Sequence, residues 1–307
     1  MDEIKVFAPA TVANVGCGYD ILGFALTDVG DELTLKKRTD SELVVTSIEG
    51  AEGIPTDPEK NVATVSIKAM LEALGSKQGF ELSIKKNIAA GSGLGSSASS
   101  SAAAVFAANE LLDRPYSKAE LVQFAMEGER AASSKPHADN VAPSLMGGFT
   151  VIRSYDPLDL FNIPFPKELE VVVIFPLVEV KTSDAKKILK KQVNLSDAVA
   201  QWGNVAGLVS GLIEGNFARI GRSLQDVIVE PVRSILIPYY DEVKAMAMEK
   251  GALGFNISGS GPSMFALTND RSKSEAIREN AQKLYDEQGI EIRSFISPIN
   301  ATGAEVI

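Results

Sequence analysis

The chain has 307 residues, 45% of them hydrophobic, and 30 Lys and Arg against 40 Asp and Glu give a formal charge of −10. That balance disfavours a nucleic-acid surface, which needs clustered basic side chains. A single cysteine and a single histidine leave neither an intrachain disulfide nor a Cys-His zinc cluster. No run approaches the ~20 apolar residues of a membrane helix, and Met1 to Lys5 lacks a signal-peptide core. A cytoplasmic, membrane-free protein of about two ~150-residue domains is therefore expected.

Residues 4–10 read as a buried strand leading into a polar turn, where Asn14 and Asp20 flank Gly16-Cys17-Gly18; taken alone, such residues are ordinary turn formers. Alternation predicts strands over 32–37 and 43–48, then a loop over 50–60. Asn61 opens a helix over 62–74 that ends before Gly75, and a strand covers 80–85.

The chain then enters the stretch around which it is organised, Ala89-Ala90-Gly91-Ser92-Gly93-Leu94-Gly95-Ser96-Ser97-Ala98-Ser99, which runs directly into an alanine-rich helix. Glycines at 91, 93 and 95 permit left-handed backbone angles, so several N–H groups can converge on an anion. The positive end of the following helix favours a phosphate at the same spot, and Ser96, Ser97 and Ser99 can add hydroxyls. A Walker loop would need a lysine, and a dinucleotide fingerprint would space its glycines differently.

Ser117 with Glu120 forms a capping-box signature for the next helix. Leu121, Val122, Phe124, Ala125 and Met126 share its apolar arc with Glu129, whereas Glu127 lies opposite. An inward carboxylate needs a salt bridge or a bound cation such as magnesium. Residues 133–148, with His137, Asp139 and Asn140, read as a polar loop before a strand at 149–152. Three prolines make 156–167 a linker, which places a domain boundary at 167/168 ahead of a buried strand over 169–175. Gly203, Gly207 and Gly211 on a helix over 196–214 imply close backbone packing. A Gly259-Ser260-Gly261-Pro262 hairpin joins two strands, and a strand-helix-strand ending follows, with the helix over 272–287.

Three separated stretches, Ala8-Pro9-Ala10 through Asp20, Gly91 through Ala98, and Ile257 through Pro262, resemble the motifs of the GHMP kinases, and among them the homoserine kinases. Ala89 departs from the family's usual proline, and Thr11-Val12, Cys17 and Tyr19 are variants within the first motif. The resemblance implies an α+β, two-domain GHMP kinase fold: an N-terminal α/β domain over 1–167 carrying the phosphate loop, and a ferredoxin-like C-terminal domain over 168–307. It also implies ATP and Mg²⁺, with transfer of a phosphoryl group to the side-chain hydroxyl of L-homoserine. Loop residues 89–99 would bind ATP phosphates, Asn61 would border the base, and Ser97 and Glu129 would hold magnesium. Asn14, Asp20, His137, Asn140, Lys186 and Arg233 would hold the amino acid. Thr182 matches a family threonine and joins Glu129, Ser97 and Asn140 in the expected catalytic set. Lys186 stands where the family has an arginine, which costs the bidentate fork. Asn140 replaces the aspartate base of mevalonate kinase and galactokinase, so transfer would rest on positioning and electrostatics. A homodimer is compatible with the sequence. Other readings are a GHMP kinase for mevalonate or a sugar, and a non-catalytic nucleotide-binding regulator. A serine hydrolase lacks its Gly-x-Ser-x-Gly elbow.

Overall fold

A computed structural model describes residues 1–133, 137–178, 180, 185 and 187–307. Period-2 burial builds β1 (Glu3–Ala13) and β2 (Leu22–Lys37), which pair antiparallel. They sit in a sheet with β3 (Leu43–Glu49), β4 (Phe80–Lys85), the hairpin β5 (Phe149–Tyr155) and β6 (Leu158–Ile163), and the two-residue β11 (Glu305–Val306). The helices α1 (Val62–Leu74), α2 (Ser96–Leu111), α3 (Lys118–Ser133) and α4 (Ala138–Met146) pack into one core with this sheet. The helix α2 is the pivot. Its side chains from Ala98 to Ala108 are almost all Ala or Ser and all buried, so neighbouring backbones come close on every side. A Cβ on Gly128 of α3 would lie 2.4 Å from the hydroxyls of both Ser101 and Ser66, which places three helices at one crossing.

The second half contributes β7 (Glu170–Pro176), α5 (Leu195–Glu214), α6 (Phe217–Ser223), α7 (Glu230–Arg233), α8 (Tyr240–Glu249), β8 (Gly254–Ile257), β9 (Met264–Thr268), α9 (Arg271–Glu287) and β10 (Ile292–Pro298). Its antiparallel sheet has the order β10-β7-β9-β8. That is the 4-1-3-2 order of a ferredoxin-like sheet, as the family resemblance implies. One face packs on α8 and α9 through Tyr240, Val243, Ile277 and Tyr285. The other meets the first sheet, where Phe24 lies 4.9 Å from Phe149 and 5.7 Å from Phe265, ring centre to ring centre. Each such buried ring contributes roughly 1.5–3 kcal/mol, and this seam fixes the cleft between the two halves.

The segments 62–74 and 80–85 form as the periodicity predicts, with Gly75 left-handed at φ 63° as the helix stop. Two expectations fail. The stretch after His137 is a helix, not a loop: Val141, Ala142 and Leu145 are fully buried and drive it despite Pro143 inside. Proline offers no N–H to the Asp139 carbonyl, and that carbonyl packs against Gly23, where a Cβ would lie only 1.9 Å away. The proline-rich 156–167 is not a plain linker either, because a cis Asp156-Pro157 turn starts β6, which pairs with β5. Of the three spaced glycines on α5, Gly207 and Gly211 abut Ser223 and Ile220 of α6, while Gly203 faces open space.

Candidate active site

The phosphate loop hangs between β4 and α2. Gly91, Gly93 and Gly95 all have positive φ, at 73°, 84° and 69°, the left-handed region that glycine enters without cost. Close packing adds a second requirement at two of them. A Cβ on Gly93 would meet the carbonyl oxygens of Ser258 at 2.6 Å and Gly261 at 2.9 Å, and one on Gly95 would meet Thr11 Oγ1 at 2.2 Å. The Gly259-Ser260-Gly261-Pro262 hairpin braces the loop: Ser258 Oγ donates to Gly93 O at 2.7 Å, and Ser263 N donates to Ser92 O at 3.1 Å. Ala90, Gly91, Ser92, Gly93, Gly95, Ser96 and Ser97 line a cleft of about 710 Å³.

Helical phase decides the rest of the loop. Ser100 faces the cleft with Ser96 and Ser97, whereas Ala89, Leu94, Ala98 and Ser99 do not line it. Ser99 is a correction to the expected hydroxyl set, because its Oγ donates to Ala8 O and accepts from Asp31 N in the core. Beneath the loop lies a buried pair that sequence reading missed, Lys86 and Asp31. Lys86 Nζ donates to an Asp31 oxygen, to Ser96 O and to Ser100 Oγ, and Asp31 Oδ1 accepts from the N–H groups of Asn87 and Ile88. One carboxylate thus anchors both ends of the loop. Burial pulls the Lys86 ammonium down and the Asp31 charge opposes it. Asn61 lines the cleft wall, where its Oδ1 caps α1 by accepting from Ala63 N and its Nδ2 donates to Pro55 O.

At the opposite end, Asn14 and Asp20 both hold positive φ, 58° and 60°, uncommon for residues with a side chain. Asn14 Oδ1 accepts from Asp20 N at 2.8 Å, and Asn14 Nδ2 donates to Gly259 O at 2.9 Å. Arg233, only 3% exposed, donates to the same Gly259 carbonyl at 3.1 Å and to Ala185 O, and its guanidinium lies 5.0 Å from the Tyr19 ring centre. His137 Nδ1 is 3.5 Å from Asp20 Oδ1. Asn140 Oδ1 accepts the Thr11 hydroxyl at 2.8 Å and is the atom of the amide packed toward Gly95, where a Cβ would lie 2.8 Å from it, so Nδ2 is left as the donor end of the amide. Asn14, Tyr19, Asp20, His137, Asn140 and Arg233 all line the cleft, as does Asp139, whereas Thr11 does not. Asp139 is the other group the sequence did not single out. Burial, then the charges of Asp20 and Glu129, push its carboxyl up to about 7, with Arg233 opposing. Thr182 and Lys186 lie outside the described residues.

Glu129, 7% exposed, also lines the cleft, on the inward face the arc predicts, while Glu127 pairs with Arg130 on the outer one. Magnesium takes one or two carboxylates and completes its shell with phosphate oxygens and water. A buried carboxylate lining the same cleft as Ser97 and the phosphate loop fits that chemistry, all donors being hard oxygens. Among the described residues no three His, Cys, Asp or Glu cluster as a self-sufficient metal cage.

A glycine loop at a helix N-terminus, facing a charged pocket across one cleft, defines a small-molecule phosphotransferase. The pattern of the GHMP kinases N terminal domain matches residues 61–148, and that of the GHMP kinases C terminal matches 208–287. The chain is 46% identical over its full length to all of a homoserine kinase from Chloroherpeton thalassium. It is 45% identical, over 100% of this chain and 99% of the relative, to one from Chlorobaculum tepidum. A crystal structure of homoserine kinase from Cytophaga hutchinsonii superposes with a TM-score of 0.97 at 51% identity, covering 100% of this chain and 98% of that one. The chain belongs to the GHMP kinase family, in its homoserine kinase branch, and it is an ATP-dependent kinase.

Proposed function

We propose that the enzyme transfers the ATP γ-phosphoryl group to the side-chain hydroxyl of L-homoserine, giving O-phospho-L-homoserine and ADP for threonine biosynthesis. The observation that carries the reading is one cleft with a backbone anion cradle at one end and, at the other, a buried arginine facing a carboxylate pair. An α-amino acid carries one anion and one cation on the same carbon. Arg233 takes the carboxylate, Asp20 and Asp139 take the ammonium, and Asn14 and His137 hold Asp20 in place. The substrate hydroxyl then reaches the Asn140 amide, whose Oδ1 packs toward Gly95 where the phosphate loop meets α2. Asn140 orients this hydroxyl and has no basicity to remove its proton. A loose transition state needs no strong base, because the attacking hydroxyl keeps its proton until late and passes it to the phosphoryl oxygens. Catalysis therefore rests on alignment and on N–H groups directed at the phosphates.

Ser97 and Glu129 hold Mg²⁺ in this reading, and the ion supplies charge neutralisation at the phosphates. We place the functional division at 167/168, within the interval between the two family regions at 61–148 and 208–287. We place the enzyme in the cytoplasm, with no nucleic-acid partner, and a homodimer is compatible with the sequence. Among the described residues no helix is long and apolar enough to cross a membrane. The test is magnesium-dependent ADP release from ATP with L-homoserine, beside mevalonate, galactose, L-serine and a no-acceptor control. Homoserine-specific release supports the reading, release with another acceptor overturns it, and ATP binding without turnover indicates a regulator. Glu129→Gln is expected to raise the magnesium concentration needed for half-maximal rate by roughly tenfold or more; full activity at limiting magnesium removes Glu129 from the ion.

A further inference from the structure

Two residues outside the cleft join the segments that carry its amino-acid end. Gln201, on the inner face of α5, is 7% exposed, and Asp226, in the loop before α7, is 8% exposed. Neither lines the cleft. Gln201 Nε2 donates to Cys17 O at 3.0 Å and to Asp226 Oδ1 at 2.9 Å, while its Oε1 accepts from Val227 N at 3.1 Å. Asp226 Oδ1 also accepts from the N–H groups of Ile228 and Val229, and Oδ2 accepts from Glu230 N, each at 2.9 Å. A buried carboxylate therefore ties down the turn that starts α7, and one amide ties that turn to the Cys17 carbonyl. The same two segments touch again nearby, where Cys17 Sγ donates to Ser223 O at 3.3 Å.

The positions of these ties matter. Cys17 lies two residues before Tyr19 and three before Asp20, and Glu230 lies three residues before Arg233. Tyr19 and Arg233 are stacked, and Asp20 and Arg233 are the opposite charges that face an amino acid. We infer that Gln201 and Asp226 are positioning residues that set the distance between the anion-reading Arg233 and the cation-reading Asp20. They thereby select an α-amino acid in the register that presents its hydroxyl to the loop. This rests on the amino-acid reading proposed above. A planar amide with two donations and one acceptance, all made, leaves little rotational freedom, so the tie fixes a distance and does more than fill space.

The experiment separates KM values. Gln201→Glu keeps the length and the acceptor for Val227 N, loses both donations and sets a charge against Asp226. Gln201→Met keeps the volume without bonds or charge and serves if the first variant does not fold by thermal melting. Asn204→Leu is the control, because Asn204 Nδ2 donates to Gln225 O from the same helix without reaching the Cys17 turn. In folded Gln201 variants the KM for L-homoserine is expected to rise roughly tenfold or more while the KM for ATP stays within about twofold; the control changes neither. An unchanged homoserine KM, a parallel rise in both KM values, or an equal rise in Asn204→Leu overturns the inference. The wild-type arm is read first: a wild type that does not phosphorylate homoserine overturns the amino-acid reading and this inference with it, an outcome distinct from an active wild type whose variants are unaffected.

Discussion

In the proposed function the two ends of the cleft read charge by opposite means. At the proposed nucleotide end the anion site is backbone: three left-handed glycines and the first turn of α2, with Lys86, which also lines the cleft, buried and bonded to Asp31, Ser96 O and Ser100. At the amino-acid end it is side chains, with Arg233, Asp20, Asp139 and His137 around one space. A backbone site lets an acidic protein hold a polyphosphate without a basic patch. Its weakness is steric, since any Cβ in the wrong place destroys it, whereas the side-chain site tolerates small shifts in shape and fails when a charge changes.

The steepest loss follows from the backbone end. Gly93→Ala combines a forbidden φ with a Cβ 2.6 Å from a carbonyl oxygen, so kcat/KM for ATP is expected to fall roughly 100-fold or more, while homoserine binding measured by calorimetry survives. Gly91 has the same kind of φ but open space around its Cβ, and Gly91→Ala should cost only the conformational term, about 1–2 kcal/mol or roughly tenfold. Equal losses at the two positions would mean that strain alone, and not the seat against the 258–261 hairpin, shapes the cradle. At the other end Arg233→Ala removes a buried charge and should raise the homoserine KM by roughly 100-fold with little change for ATP. A parallel loss for both substrates would dissolve the division between the ends.

Next in size is Asp139, where charge can be varied by pH alone. Its carboxyl is held up near 7, so below that pH the free enzyme carries it protonated, and it cannot pair with an ammonium. The homoserine KM is therefore expected to fall as pH rises through about 7, while the ATP KM does not follow. The stability sign runs the other way. A carboxyl raised above its unfolded value favours folding at low pH, and that contribution is lost as pH climbs from about 4 to about 7. Asp139→Asn should accordingly melt higher than wild type at pH 8, match it near pH 4, and bind homoserine poorly throughout. A variant that melts lower at pH 8 would show Asp139 to be a structural anchor of α4.

Much of this was legible in the sequence because glycine and helical phase leave unambiguous marks. The loop at 91–97, the inward turn of Glu129 and the helix over 62–74 follow from local patterns, whereas the ferredoxin-like second sheet is implied only by the family resemblance. What stayed hidden depends on contacts between distant segments. Residues 138–146 look like a loop because Pro143 and a run of polar groups mask a helix that only the burial of Val141, Ala142 and Leu145 supports. Three prolines disguise β6, whose partner strand ends just before the cis turn. Asp139 reads as one more turn residue until α4 carries it under Asp20. Lys86 and Asp31 are 55 residues apart in sequence, and neither position announces the other.

The smallest effect tests where the two ends meet. Thr11 Oγ1 donates to Asn140 Oδ1, and the same hydroxyl is what a Cβ on Gly95 would strike. That bond fixes the orientation of the Asn140 amide, because accepting the hydroxyl assigns Oδ1 to the Thr11 side and leaves Nδ2 as the donor end. Thr11→Val keeps the shape and deletes the donor, so the amide is free to turn its oxygen toward the substrate hydroxyl and the phosphates. Losing one such bond is worth about 1 kcal/mol, so kcat is expected to drop roughly five- to tenfold with both KM values nearly unchanged, and Thr11→Ser should restore it. If valine and serine behave alike, the amide is oriented by its other neighbours. If kcat falls only in valine, a hydroxyl that touches neither substrate sets the alignment on which a kinase without a carboxylate base at this position must rely.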